Sequence, residues 1–162
     1  MEWELRPPRH SVDRRAIRWW AVQALAWVLP PVLVLGSLAA LIAPARSWLL
    51  GALLIVALPG AVYALLMPAR RYRVHRWEVT EEAVYAASGW LWLKWRVAPM
   101  SRIQTVDTVR GPLQQIFSLS GVKVTTASAA GSIKIHGLDR HLAAALVEQL
   151  TARAQAVPGD AT

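Results

Sequence analysis

The sequence contains no cysteine, a single phenylalanine and only ten acidic residues among 162. Without cysteine there is no disulfide, no thiolate metal site and no thiol nucleophile. Catalytic signatures are lacking too. His10, His75, His136 and His141 are scattered rather than grouped at metal-ligand spacing. His136 alternates with Ile133 and Ile135 and reads as a solvated strand residue. No glycine-rich phosphate loop or nucleophile elbow occurs. Glu81 and Glu82 fall at a turn and Asp107 stands alone on a strand, so no general acid/base pair can be named. These gaps predict a non-enzymatic chain with no cofactor and no metal.

Charge is also missing from two long stretches. Trp19 to Ile42 and Trp48 to Met67 carry no charged side chain. As helices they reach roughly 36 and 30 Å, enough to cross a hydrocarbon core. Only the five residues from Ala43 to Ser47 join them, which forces an antiparallel hairpin. Pro30-Pro31 and Pro59-Gly60 fall mid-span and predict kinks, tolerated where neighbours re-satisfy the backbone. Trp19, Trp20 and Trp48 sit at span ends, where amphipathic rings favour the headgroup layer. A pair of helices buried in a soluble core would not need two uncharged runs of this length. A cleaved leader ending at Ala43-Pro44-Ala45 is disfavoured by the length of the first run and by the second span behind it.

What charge there is lies beside the spans. The net charge is +8. Arg6, Arg9, Arg14, Arg15 and Arg18 precede the first span, Arg70, Arg71, Arg73 and Arg76 follow the second, and the link holds only Arg46. The positive-inside rule places both termini of this multi-pass protein in the cytoplasm. The domain reading is a basic cytoplasmic segment 1–18, a hairpin 19–67, a cytoplasmic domain 70–157 and a frayed tail 158–162. Nucleic acid is a poor fit as partner, because the basic excess flanks the spans and no recognition helix or base-stacking motif is present.

From Tyr72 onward, short alternating runs read as strands over Tyr72–Thr80, Ala83–Ser88, Trp90–Ala98, Ile103–Val109, Val122–Ala127 and Ser132–His136. Ser88-Gly89, Pro99 and Ala130-Gly131 punctuate them. Gly111 and Pro112 start a short helix with Leu113, Ile116 and Phe117 on one face, and Gly121 follows its end. Asp139 caps a closing helix in which Leu142, Leu146 and Leu150 form the apolar stripe. The fold class is α+β: a curved antiparallel sheet or partial barrel with a short inserted helix, plugged by an amphipathic C-terminal helix.

Arg102-Ile103-Gln104, then Gly111-Pro112-Leu113-Gln114 with Phe117, then Gly121-Val122-Lys123-Val124, resemble the core signature of bacterial pleckstrin-homology-like domains of the YdbS type. The two-span hairpin and the closing Ile135-His136-Gly137-Leu138 match as well. Gln115 stands where that family usually carries a basic residue. The resemblance implies a pleckstrin-homology-like roll closed by a helix. It also implies a membrane protein that works with a larger partner carrying several copies of the domain.

One strand invites a binding role. Alternation over 90–97 puts Leu91, Leu93, Trp95 and Val97 on a core face, and Trp90, Trp92, Lys94 and Arg96 on the other. Arg102 and Arg110 extend the basic character of that second face. It either docks on lipid or a membrane partner, or packs its tryptophans beneath the inserted helix. The leading expectation is a membrane-anchored binding or assembly subunit docking a partner membrane protein or itself. A lipid or small-ligand sensor and an accessory subunit of a transport or export complex are the alternatives. With no charge inside the spans, the chain should not conduct alone.

Overall fold

A computed structural model describes residues 8–127 and 131–156 of the chain. Arg6, Ala130 and the tail 158–162, each given a role above, lie outside the described residues. Contacts divide the chain into two units, Ile17–Arg70 and the remainder, and each is described separately.

The first unit is built from two long helices, α1 (Arg15–Leu41) and α2 (Arg46–Val74), joined by a 3-10 turn over Ala43–Ala45. Both outrun the apolar segments that nucleate them, because extending an existing helix costs far less than starting one. Pro30, Pro31 and Pro59 are accommodated within continuous helix. The close approach between the helices is at Gly60, where a Cβ would stand 2.6 Å from Val28 Cγ1. Most large apolar side chains of the pair face outward, with Trp27 and Leu65 each 77% exposed. Core helices of a soluble protein would bury those groups, whereas membrane-spanning helices present them to lipid.

The second unit holds two antiparallel sheets. One has the order β1-β2-β3-β4, from His10–Ser11, Arg76–Val79, Ala83–Ser88 and Lys94–Pro99. The other has the order β5-β6-β7, from Ile103–Val109, Leu119–Thr126 and Ile133–Asp139. The short helix α3 (Pro112–Ile116) links β5 to β6, and α4 (Arg140–Ala156) packs on the second sheet. Two long apolar helices followed by antiparallel sheets and a closing helix form the α+β, pleckstrin-homology-like arrangement that the sequence predicts.

Three local expectations are corrected. The strand expected from Tyr72 begins at Arg76, since α2 continues to Val74. The strand expected from Trp90 begins at Lys94, and residues 90–93 form a bend. The stripe of α4 is Ala143, Leu146 and Leu150, with Leu142 exposed; spacings of three and four track the helix better than a strict four. The basic segment 1–18 also contributes β1, whose His10 and Ser11 pair with Trp77 and Arg76.

Burial explains how the unit holds together. Val84, Met100, Leu119, Val122, Val124, Ile135, Leu138, Leu146 and Leu150 are buried, filling the unit's apolar interior. Each such side chain contributes about 1.5–3 kcal/mol relative to exposure. Asp139 ends β7 and caps α4, its Oδ1 accepting from the backbone N–H of His141 at 2.8 Å and of Leu142 at 3.4 Å. Arg153 of α4 donates to the Thr80 carbonyl at the β2–β3 turn at 3.1 Å, tying the helix to the first sheet.

Candidate functional site

A cleft of about 670 Å³ opens in the sheet unit, where β3 and β4 approach β7. Its origin is sequence alternation. Val84, Ala86 and Ser88 share one face of β3. Val84 fills the core, whereas Ala86 and Ser88 are too small to close the space beyond it. In the antiparallel register Arg96 lies opposite Ala86 and Lys94 opposite Ser88, so both cations share that face. Lys134 and His136 project from the opposing β7, and Arg71 and His75 enter from the end of α2. Trp90 and Trp92 flank the cleft from the β3–β4 turn.

That turn depends on Gly89. Its φ is +129°, and a Cβ there would lie 1.8 Å from the Trp92 carbonyl oxygen. No L side chain fits. Arg96 reaches across the cleft, its Nη1 donating to the Ser132 carbonyl at 2.7 Å, so the two walls are held together by a charged hydrogen bond.

The electrostatics have one sign. Four permanently basic side chains and two imidazoles line the cleft, and no carboxylate stands among its described lining residues. His75 is buried, with Nδ1 2.9 Å from the Arg71 carbonyl oxygen. Burial, reinforced by the Arg71 guanidinium, pushes its imidazole down to about 4. Burial also lowers His136, with Arg71 and Lys134 adding to the effect. His136 is thus half-buried and neutral at pH 7 rather than freely solvated. Among the described residues no three His, Asp or Glu side chains gather into a metal-ligand group.

The residues singled out from sequence separate into distinct places. Trp90, Trp92, Lys94 and Arg96 line the cleft; Arg102 and Arg110 do not. Arg110 is exposed but its Nε donates to the Leu119 carbonyl at 3.1 Å, bracing the β5–β6 connection. The core face expected for Leu91, Leu93, Trp95 and Val97 does not form: all four are exposed, Leu91 and Leu93 in the 90–93 bend and Trp95 and Val97 on β4. Trp48 is exposed, Trp19 and Trp20 are buried, and their rings lie 5.6 Å apart. Arg14, Arg18, Arg70, Arg73 and Arg76 are exposed. Arg15 is engaged by Asp13, Asp139 and the Phe117 carbonyl, a structural role that its place among the span-flanking arginines does not suggest.

The signature residues are architectural. Gly111 precedes α3 in extended conformation and Pro112 is its first residue. Gln114 is buried, and its Oε1 accepts from the Gly111 N–H at 2.8 Å, which closes the start of the helix. Leu113 and Phe117 are half-buried and Ile116 is exposed. Arg102 ends the 3-10 turn before β5, Ile103 opens that strand, and Gln104 sits at its register shift. Gly121 is buried at a register shift of β6.

The profile of the bacterial PH domain matches residues 22–154, hairpin and sheets together. The chain belongs to the bacterial PH domain family. It is 30% identical over 129 residues to the UPF0699 transmembrane protein YdbS of Bacillus subtilis (strain 168), an alignment covering 78% of this chain and 81% of that protein. No solved structure matches. With two candidate spans of high hydropathy, this PH-domain protein is a membrane protein associated with the lipid bilayer.

Proposed function

We propose that this chain is a non-enzymatic, membrane-anchored binding subunit whose PH unit docks a partner membrane protein, or a second copy of itself, at the cytoplasmic face of a bacterial plasma membrane. The observation carrying this reading is the open edge of the first sheet. Leu91, Trp92, Leu93, Trp95 and Val97 are all exposed in and beside β4, which pairs with β3 alone among the described strands. Unpaired, apolar edges invite strand addition unless something covers them. Lys94 and Arg96 alternate with these residues and face the cleft instead.

The mechanism is tethering. Two spans confine the PH unit to a plane, and the resulting effective concentration lets a modest edge contact suffice. Spans without charged groups serve as anchor and packing surface rather than as a pathway. Arginines on both outer flanks, against Arg46 alone in the link, support a topology with both termini cytoplasmic.

The test is the mass of the detergent-solubilised assembly. Wild type is expected to run as a complex of copies or with a second membrane protein, and Leu93→Asp/Val97→Asp to release it as single chains with unchanged thermal stability. A wild type that is monomeric under conditions that preserve other membrane complexes contradicts the reading.

A further inference from the structure

We propose that the bend at residues 90–93 is a membrane contact in its own right: Leu91, Trp92 and Leu93 enter the interfacial layer of the bilayer that α1 and α2 span. This goes beyond partner docking at the β4 edge, and the two are tested apart.

Three observations converge. The first is consecutive exposure. Leu91, Trp92 and Leu93 are 62, 81 and 60% exposed. On a strand successive side chains take opposite faces, so a partner added at its edge reads alternate residues. Residues 90–93 lie outside the ladder, since β4 pairs with β3 only from Lys94 onward. Three adjacent apolar side chains around a bend suit a fluid apolar medium, because hydrophobic burial has no preferred direction. The second is place. Trp90 and Trp92 line the same cleft as Arg71 and His75. Arg71 follows Met67, the last residue of the uncharged run, by four positions of continuous helix, about 6 Å. The bend therefore lies within a cleft's width of a residue that the chain itself holds at the membrane surface. Lys94, next in sequence, and Arg73, in the last turn of α2, are both exposed and suit an anionic leaflet. The third is composition. An indole favours the headgroup layer, and the leucines on either side of it reach the acyl boundary. Seating the bend in lipid restrains rotation of the PH unit about its connections to the hairpin.

The chain has no cysteine, so single labels report single positions. Full-length Leu91→Cys and Leu93→Cys, each carrying a nitrobenzoxadiazole label, are placed one chain per nanodisc of phosphatidylcholine and phosphatidylglycerol. Ile116→Cys, 75% exposed on α3, controls for the label's own affinity for lipid. Labels at 91 and 93 are expected to emit to the blue of the label at 116, to be quenched by lipids bearing a nitroxide just below the headgroup, and to resist aqueous iodide. Trp92→Ser in the Leu91→Cys chain should reduce the nitroxide quenching and raise iodide access without changing the melting midpoint. Two label positions keep the test open if one labelled chain melts early. Free access of iodide at 91 and 93, shielding from iodide without nitroxide quenching, or equal nitroxide quenching at 91, 93 and 116 overturns the proposal. Each of these leaves partner docking standing, because a disc with one chain holds no partner. Nitroxide quenching at 91 and 93 in a protein that forms no complex in native membranes supports the lipid contact and removes docking.

Discussion

Arg15 and Asp139, 124 positions apart, are joined by a charged hydrogen bond through Arg15 Nη2. The same guanidinium holds Asp13 through Nε and Nη2 at 3.1 and 2.9 Å, and Nη1 donates to the Phe117 carbonyl at 3.4 Å. One side chain therefore ties the segment before α1 to the end of β7 and to the turn after α3. Arg15→Ala should lower stability by about 1 kcal/mol, a few degrees in Tm, because the network is partly exposed and screened. Arg14→Ala, one residue away on an exposed side chain, should leave the melting midpoint unchanged. Thermal unfolding in detergent, followed by tryptophan emission, distinguishes them.

Acid should destabilise the PH unit in two stages. His75 is neutral when folded, near 4, and would titrate at about 6.5 when exposed. Protons then bind preferentially to the unfolded chain, so stability is complete above about 6.5 and falls as pH drops from there to about 4, by at most about 3 kcal/mol. Asp13 and Asp139 are held below the usual carboxylate range by the Arg15 hydrogen bonds, so their contribution is present above about 3.8 and lost only below it. His75→Gln should shrink the first stage, leaving the smaller part that His136 contributes, and spare the second. A melting midpoint independent of pH between 6.5 and 4 in wild type would count against burial of a neutral imidazole.

The hairpin makes a steric prediction. Gly60→Ala places a methyl 2.6 Å from Val28 Cγ1, so the Val28 side chain or one of the helices must shift, costing about 1–3 kcal/mol. Val28→Ala removes the obstructing methyl groups and should restore most of the loss in the double variant. Additive losses in the two variants would show that the residues do not meet.

At the cleft, Gly89→Ala should cost more than a typical surface change, about 1–3 kcal/mol, because both the backbone conformation and the Trp92 carbonyl exclude a Cβ. Displacement of the 90–93 bend should also shift tryptophan emission. A variant with wild-type melting and emission would mean that the turn relaxes freely.

Much of the architecture was legible because it depends on local pattern. The uncharged runs announce α1 and α2, Gly111-Pro112 announces α3, and Asp139 announces the start of α4. Pattern misled where context outweighed it. Tyr72 and Val74 alternate like a strand, yet they follow a helix already formed and simply extend it. Leu91, Leu93, Trp95 and Val97 alternate like a core face, but the strand starts only at Lys94, so Leu91 and Leu93 fall in a bend and all four are exposed. The cleft was half legible. Trp90, Trp92, Lys94 and Arg96 share one strand's alternation, while Arg71, His75, Lys134 and His136 join them only through the meeting of β3–β4 with β7. Arg15 was hidden for the same reason: its partner is 124 positions away.

The absence of cysteine offers the most direct test of docking at the β4 edge. Val97→Cys introduces the sole thiol in the chain, at an exposed position. In native membranes, a short thiol-to-amine cross-linker should trap Val97→Cys with a second copy or a second membrane protein, while Thr151→Cys, exposed on α4, should give far less. Efficient maleimide labelling of Val97→Cys with no cross-linked product above the single chain would contradict the proposal that this edge is a docking surface.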